Sequence, residues 1–168
     1  METMKLEITV IAEPFSINKA YYLKSYGNKA ATKVRTAACR EWGNRVLFQL
    51  QQYVSEMKQC HDFFDQNAHA LRIDLIHYIP KEKFYTKAGH ISIASSDITN
   101  IEKLFVDLIF DERFSGRSLD TVTVQNLNIN DKFIVDMRSR KLPSNSGYKI
   151  KIIVEIISKP ETTDEENC

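Results

Sequence analysis

The chain has little of what marks the special classes of protein. It contains nothing close to the ~20 consecutive apolar residues that a membrane-spanning helix requires. Its opening, METMKLEITVIAEP, also lacks the basic-then-apolar layout of a signal peptide. A cytoplasmic protein with no membrane partner is the expectation. Cysteine is scarce: Cys39, Cys60 and Cys168 are odd in number and form no CxxC pair, which argues against a disulfide framework or a zinc site. They read as free thiols. His61, His69, His77 and His90 recur at no metal-ligand interval, so structural or surface roles are expected for them. No internal repeat is visible.

What is present is an ordinary globular composition over 168 residues, enough for one domain with a hydrophobic core. The formal net charge of +1 conceals an uneven distribution. The tail, 159–168, is acidic and reads as disordered, which leaves 1–158 as a more basic body. Lys19, Lys24, Lys29, Lys33, Arg35, Arg40 and Arg45 crowd one early segment; Lys81, Lys83 and Lys87 form a second group, and Arg138, Arg140 and Lys141 a third. Clusters of this kind are the footprint of a polyanion-binding surface or of a solvated face.

KLEITVIA alternates charged and apolar residues and reads as a strand ended by Pro14. From Thr32 to Lys58, apolar residues recur at intervals of four and three (Val34, Ala38, Trp42, Val46, Leu50, Val54, Met57), the pattern of one long amphipathic helix. ALRIDLIHYI reads as a second strand, ISIA as a short one and NIEKLFVDLIF as a short helix. TVTVQNLNI, KFIVDM and GYKIKIIVEI follow as three strands, with hairpin-like punctuation between the last two. The expected fold is a single α+β domain, its mixed or antiparallel sheet packed against one long and one short helix.

SSDITNIEK carries the densest chemistry. Thr99-Asn100-Ile101-Glu102 fits a capping box, which accounts for Thr99 and Glu102. It leaves Asp97, Lys103 and Asp107 unexplained. Asp97 and Thr99 share a side of an extended segment, while Lys103 and Asp107 form an i,i+4 pair. A carboxylate and an ammonium thus converge at a helix start, where free amide groups also attract phosphate. Carboxylates that bind Mg²⁺, with a lysine to neutralise charge in the transition state, suit phosphodiester hydrolysis. A second acid has to come from elsewhere, and Asp131 in NINDKFIVDM is the candidate, although Asn-Asp between apolar runs is also an ordinary turn.

The order Asp97-x-x-Asn100-x-x-Lys103-x-x-x-Asp107, with a later acid before a strand, resembles the RusA family of Holliday-junction resolvases. Pro14, Asn18 and Tyr22 in EPFSINKAYY resemble that family's opening, and the likeness runs from the first strand to about Ile157. It implies a homodimeric endodeoxyribonuclease that uses Mg²⁺ (Mn²⁺ substituting) to cut branched DNA, the four-way junction above all. By the same resemblance Asp97, Lys103 and Asp131 would be catalytic, with Asp97, Asp131 and position 99 facing the metal and Asp107 structural.

The sequence departs from the family pattern at Thr99, where a second Asp is usual, and at Asn130, where the first of two late acids stands. Thr99 could still act through its hydroxyl or an intervening water in a weaker site, or Glu102, Asp111, Glu112 or Asp136 could supply the missing carboxylate; otherwise the chain would bind branched DNA without cutting it. Asn18, Lys19, Tyr22, Lys24, Lys33, Arg35, Asn100, Arg138 and Arg140 are the expected DNA contacts, phosphate neutralisation supplying the affinity and tyrosines a stacking surface.

Overall fold

Two-residue alternation builds the central sheet. A computed structural model describes residues 3–25, 27, 30–92 and 97–161. Its elements run β1 (Met4–Val10), β2 (Tyr21–Lys24), β3 (Thr32–Arg35), α1 (Ala37–Leu50), α2 (Val54–Phe63), β4 (His69–Pro80), α3 (Lys81–Phe84), α4 (Ile98–Phe110), β5 (Ser118–Leu119), β6 (Val122–Thr123), β7 (Ile134–Ser144) and β8 (Lys149–Ser158). The main sheet has the order β1-β8-β4-β7, and β2-β3 and β5-β6 form small separate ribbons. In β8, Ile150, Ile152, Val154 and Ile156 point inward, opposite Val10, Ile8 and Leu6 of β1 and Leu75, Ile73 and Leu71 of β4. Those residues join Trp42, Val46 and Leu50 of α1, Met57 of α2 and Leu104, Phe105, Leu108 and Ile109 of α4 in one core. The architecture is the expected α+β fold with a mixed sheet.

The other face of the sheet is polar, because the alternate residues are charged. Glu7 pairs with Lys151 at 2.8 Å and Lys5 at 3.0 Å, Arg72 with Asp136 at 3.0 Å and Arg140 with Asp74 at 2.6 Å. Exposed pairs such as these contribute little stability each. They set the outward face and the register, since a one-residue slip would bury them.

Several local expectations are corrected. The expected helix over Thr32 to Lys58 begins only at Ala37. Thr36 ends β3 and caps α1, its Oγ1 accepting from the Cys39 amide at 3.2 Å while its own amide donates to Ala20 O at 2.7 Å. A 3-10 turn over Gln51–Tyr53 then separates α1 from α2. Of TVTVQNLNI only Val122–Thr123 pairs as a strand. The rest lies outside any ladder: Asn128 takes a positive φ of 52°, and the segment is held by the Gln51 and Asn126 side chains and by main-chain bonds from Val124 to Arg117 O and from Leu127 to Ile109 O. β7 and β8 are not hairpin partners, because β4 lies between them and pairs in parallel with β7. In the ISIA segment, Ile91 forms an isolated bridge with Tyr85, and 93–96 lie outside the described residues.

Cys39 and Cys60 are buried free thiols, as expected. Burial pushes both up in pKa, so neither carries a reactive thiolate. Among the described residues no helix is long and apolar enough to cross a membrane.

Candidate active site

The site grows from the polar strip of α4. Ile101, Leu104, Phe105, Leu108 and Ile109 turn that helix toward the core, leaving Thr99, Lys103 and Asp107 four residues apart along one side, with Asp111 just past the end. Lys103 Nζ lies 3.4 Å from Asp107 Oδ1; the lysine is exposed, whereas the Asp107 side chain is only 16% exposed. Asp111 caps the 3-10 turn that follows, accepting from the Arg113 amide at 2.9 Å and from its guanidinium. The Arg113 side chain holds the Asp111 carboxyl below its usual range, outweighing the upward push of burial, and the Arg35 charge adds to the effect.

The remaining wall comes from the segment after β6, and one asparagine decides its course. Asn126 is buried, and its Nδ2 donates to the carbonyls of Leu108 at 3.0 Å and Asp111 at 2.8 Å, occupying acceptors that the end of α4 leaves open. The Leu127 amide donates to Ile109 O at 2.9 Å. Gln51 secures the far side, donating to Gln125 O at 3.0 Å and accepting from the Gln125 amide at 2.8 Å. Laid along α4 in this way, the chain brings Asn128, Asn130 and Asp131 to the helix. A cavity of about 670 Å³ results, lined by Lys103, Asp107, Asp111, Glu112, Asn130 and Asp131 together with Tyr21, Phe110, Arg113 and Asn128.

Lys103 and Asp131 therefore line one cavity. Asp97 and Thr99 do not reach that cavity. Asp97 is the N-cap residue of α4 and exposed, about 9 Å along the helix axis from Lys103 at 1.5 Å per residue. Its side chain accepts no capping bond. The expected capping box is absent as well: the helix starts at Ile98, which puts Thr99 inside the first turn rather than at its cap. Asn100 lies in that turn, its amide donating to Asp97 O at 3.1 Å. Of the acids named as compensating, Asp111 and Glu112 line the cavity, while Asp136 is engaged by Arg72 on the outward sheet face. Among the described residues no three His, Cys, Asp or Glu side chains stand close enough to hold a metal ion as they are.

The basic residues divide between two places. The β2-β3 ribbon leans over the cavity: Tyr21 lines it and pairs with Arg35, Lys33 Nζ lies 4.5 Å from the Tyr21 ring centre, and Arg35 stacks 4.7 Å from Phe114. Tyr22 and Lys24 are exposed on the same ribbon, and Asn18 and Lys19 are exposed in the turn leading to it. Arg138 and Arg140 follow Asp131 closely in sequence but share the outward sheet face with Asp74, so the structure does not bring them to the cavity. Asn126 and Asn128 escaped the sequence reading, because both lie in TVTVQNLNI, whose alternation reads as an ordinary strand. No protein-family model matches the chain, and no curated protein matches it in sequence.

Proposed function

We propose that the chain is a divalent-metal-dependent endodeoxyribonuclease acting on branched DNA, a RusA-like junction resolvase. The observation that supports it best is that Asp131, Lys103, Asp107 and Asp111 line one cavity, which Tyr21 of the basic β2-β3 ribbon borders. Carboxylate and asparagine oxygens without sulfur or imidazole are the donors a hard cation such as Mg²⁺ takes. Asp107 and Asp131 are the residues that would hold it. Such an ion supplies an activated water and neutralises charge on the phosphate.

The chain's own groups do the rest. Lys103 offers a positive charge at the rim of the acids, where it can shift from Asp107 to a phosphoryl oxygen as charge builds there. Lys33, Arg35 and Arg113 offset the negative potential that three aspartates would otherwise present to a polyanion. Tyr21 lines the path of the strand. Two strands must be cut to resolve a junction, so a two-fold homodimer with two such cavities belongs to the proposal. DNA binding without cutting is the second reading, favoured by the absence of three gathered ligands among the described residues and by Thr99 in place of an acid.

A labelled synthetic four-way junction incubated with Mg²⁺, Mn²⁺ or chelator, read for gel shift and for cleavage, decides between them. Metal-dependent symmetric nicking, reduced about 100-fold or more by Asp131→Asn or Lys103→Ala, is the expected result. A shift without nicking selects the second reading, and no shift at low salt refutes both.

A further inference from the structure

A second cavity, of about 520 Å³, opens beside the first, between the segment leaving β1, the helix α1 and the entry to β8. Nothing in the proposed chemistry uses it. Its floor is Trp42, the chain's only tryptophan, which is 4% exposed with its indole Nε1 donating to Glu13 O at 2.8 Å. Phe15 lies against that floor with ring centres 5.7 Å apart and planes tilted by 42°. Tyr148 forms a third aromatic wall, its hydroxyl facing the Glu13 carboxylate. The wall is fixed from outside: the Gln49 side chain clasps the Ile11 backbone, accepting from its amide at 2.7 Å and donating to its carbonyl at 3.0 Å. Lys19 and Arg45 stand at the rim, both exposed and neither in an ion pair among the described residues.

Three aromatic surfaces, one acceptor and two unpaired cations are the groups that a nucleotide requires. We propose that this cavity takes one unpaired nucleotide of the DNA, its base against Phe15 and Tyr148 and its phosphate on Lys19 and Arg45. The inference rests on the DNA reading of the neighbouring cavity. Lys19 on this cavity and Tyr21 on the acidic one are two residues apart, hence within about 7 Å, so one strand can touch both. A branch point is where an unpaired base is available to be held in this way. Glu13 adds an acceptor for a base N–H, which unpaired cytosine offers at N4 and unpaired thymine at N3.

Trp42 is a built-in reporter. Its fluorescence is followed while pentadeoxycytidylate or pentathymidylate is added, and the four-way junction gel shift is run on the same proteins. Quenching by both oligomers is expected, with about tenfold weaker binding of each in a Lys19→Ala, Arg45→Ala double variant. Glu13→Ala should weaken the binding of both oligomers while leaving the fold intact, since it is the Glu13 main-chain carbonyl that holds Trp42. A junction shift with Trp42 unmoved by either oligomer overturns the pocket and leaves the DNA reading standing. Quenching that survives the double variant unchanged also overturns it. Quenching that follows the expected pattern without any junction shift supports the pocket and removes the branched-DNA reading.

Discussion

Lowering the pH toward 4 should loosen this fold through His77. His77 sits on the core side of β4, fully buried, opposite Ile150 of β8 and Lys141 of β7, and neither ring nitrogen has a hydrogen-bond partner. Burial, with the Lys141 charge adding to it, holds its pKa down at about 4 against an ordinary 6.5. The unfolded chain takes up the proton near 6.5, whereas the native chain resists until about 4, so protonation favours unfolding. The native state is fully favoured above 6.5 and loses stability as the pH falls through the window down to 4.

Linkage puts the loss at about 2 kcal/mol by pH 5 and about 2.6 kcal/mol by pH 4.5. That is a large part of what a small domain has. Urea unfolding of the wild type and of His77→Leu at pH 7.5, 6, 5 and 4.5 measures it, because all other titrations cancel in the difference. The variant should match or exceed the wild type at pH 7.5, having shed two unpartnered polar atoms, and should gain on it steadily below pH 6.5. A stability difference that stays flat from pH 7.5 to 4.5 would refute the reasoning.

Two further substitutions test how the cavity is assembled. Asn126→Ala removes both bonds to the carbonyls that end α4 and should cost about 2–3 kcal/mol in urea unfolding. It should also weaken junction cleavage more than junction binding, as the wall carrying Asp131 loosens from α4. Gly43→Ala should act in the opposite direction. A Cβ there would meet Leu108 Cδ2 at 3.5 Å, an ordinary contact, so the gain in helix propensity should raise stability by about 0.5–1 kcal/mol. Thermal unfolding that shows Gly43→Ala less stable than wild type would mean that α1 and α4 cross more tightly than this spacing allows.

Periodicity carried much of the architecture in advance. The alternation in KLEITV and KIKIIVEI placed β1 and β8, and the apolar side of LFVDLIF placed α4, because side-chain direction follows from local geometry alone. Lys103 and Asp107 were legible for the same reason, lying one turn apart on a helix. Local capping follows the tertiary setting at two sites. Thr36, a side chain that could as well have sat inside the helix pattern, ends β3 and starts α1, whereas Thr99, which fits a cap, lies within α4.

What the sequence determined by itself is thus a set of faces: which residues of each strand and helix seek the core, and which polar residues line up on the remaining side. Tertiary structure decided which faces meet. Asp131 shares a cavity with Asp107 and Asp111 because Asn126 and Gln51 tie a stretch that reads locally as a strand along the end of α4. Arg138 and Arg140, a few residues further on, are carried to the opposite side of the sheet by the two-residue period of β7 and its register with β4. Neither outcome is written in local spacing, since both depend on contacts between segments far apart in the chain. A two-residue period turns one step of register into a change of face.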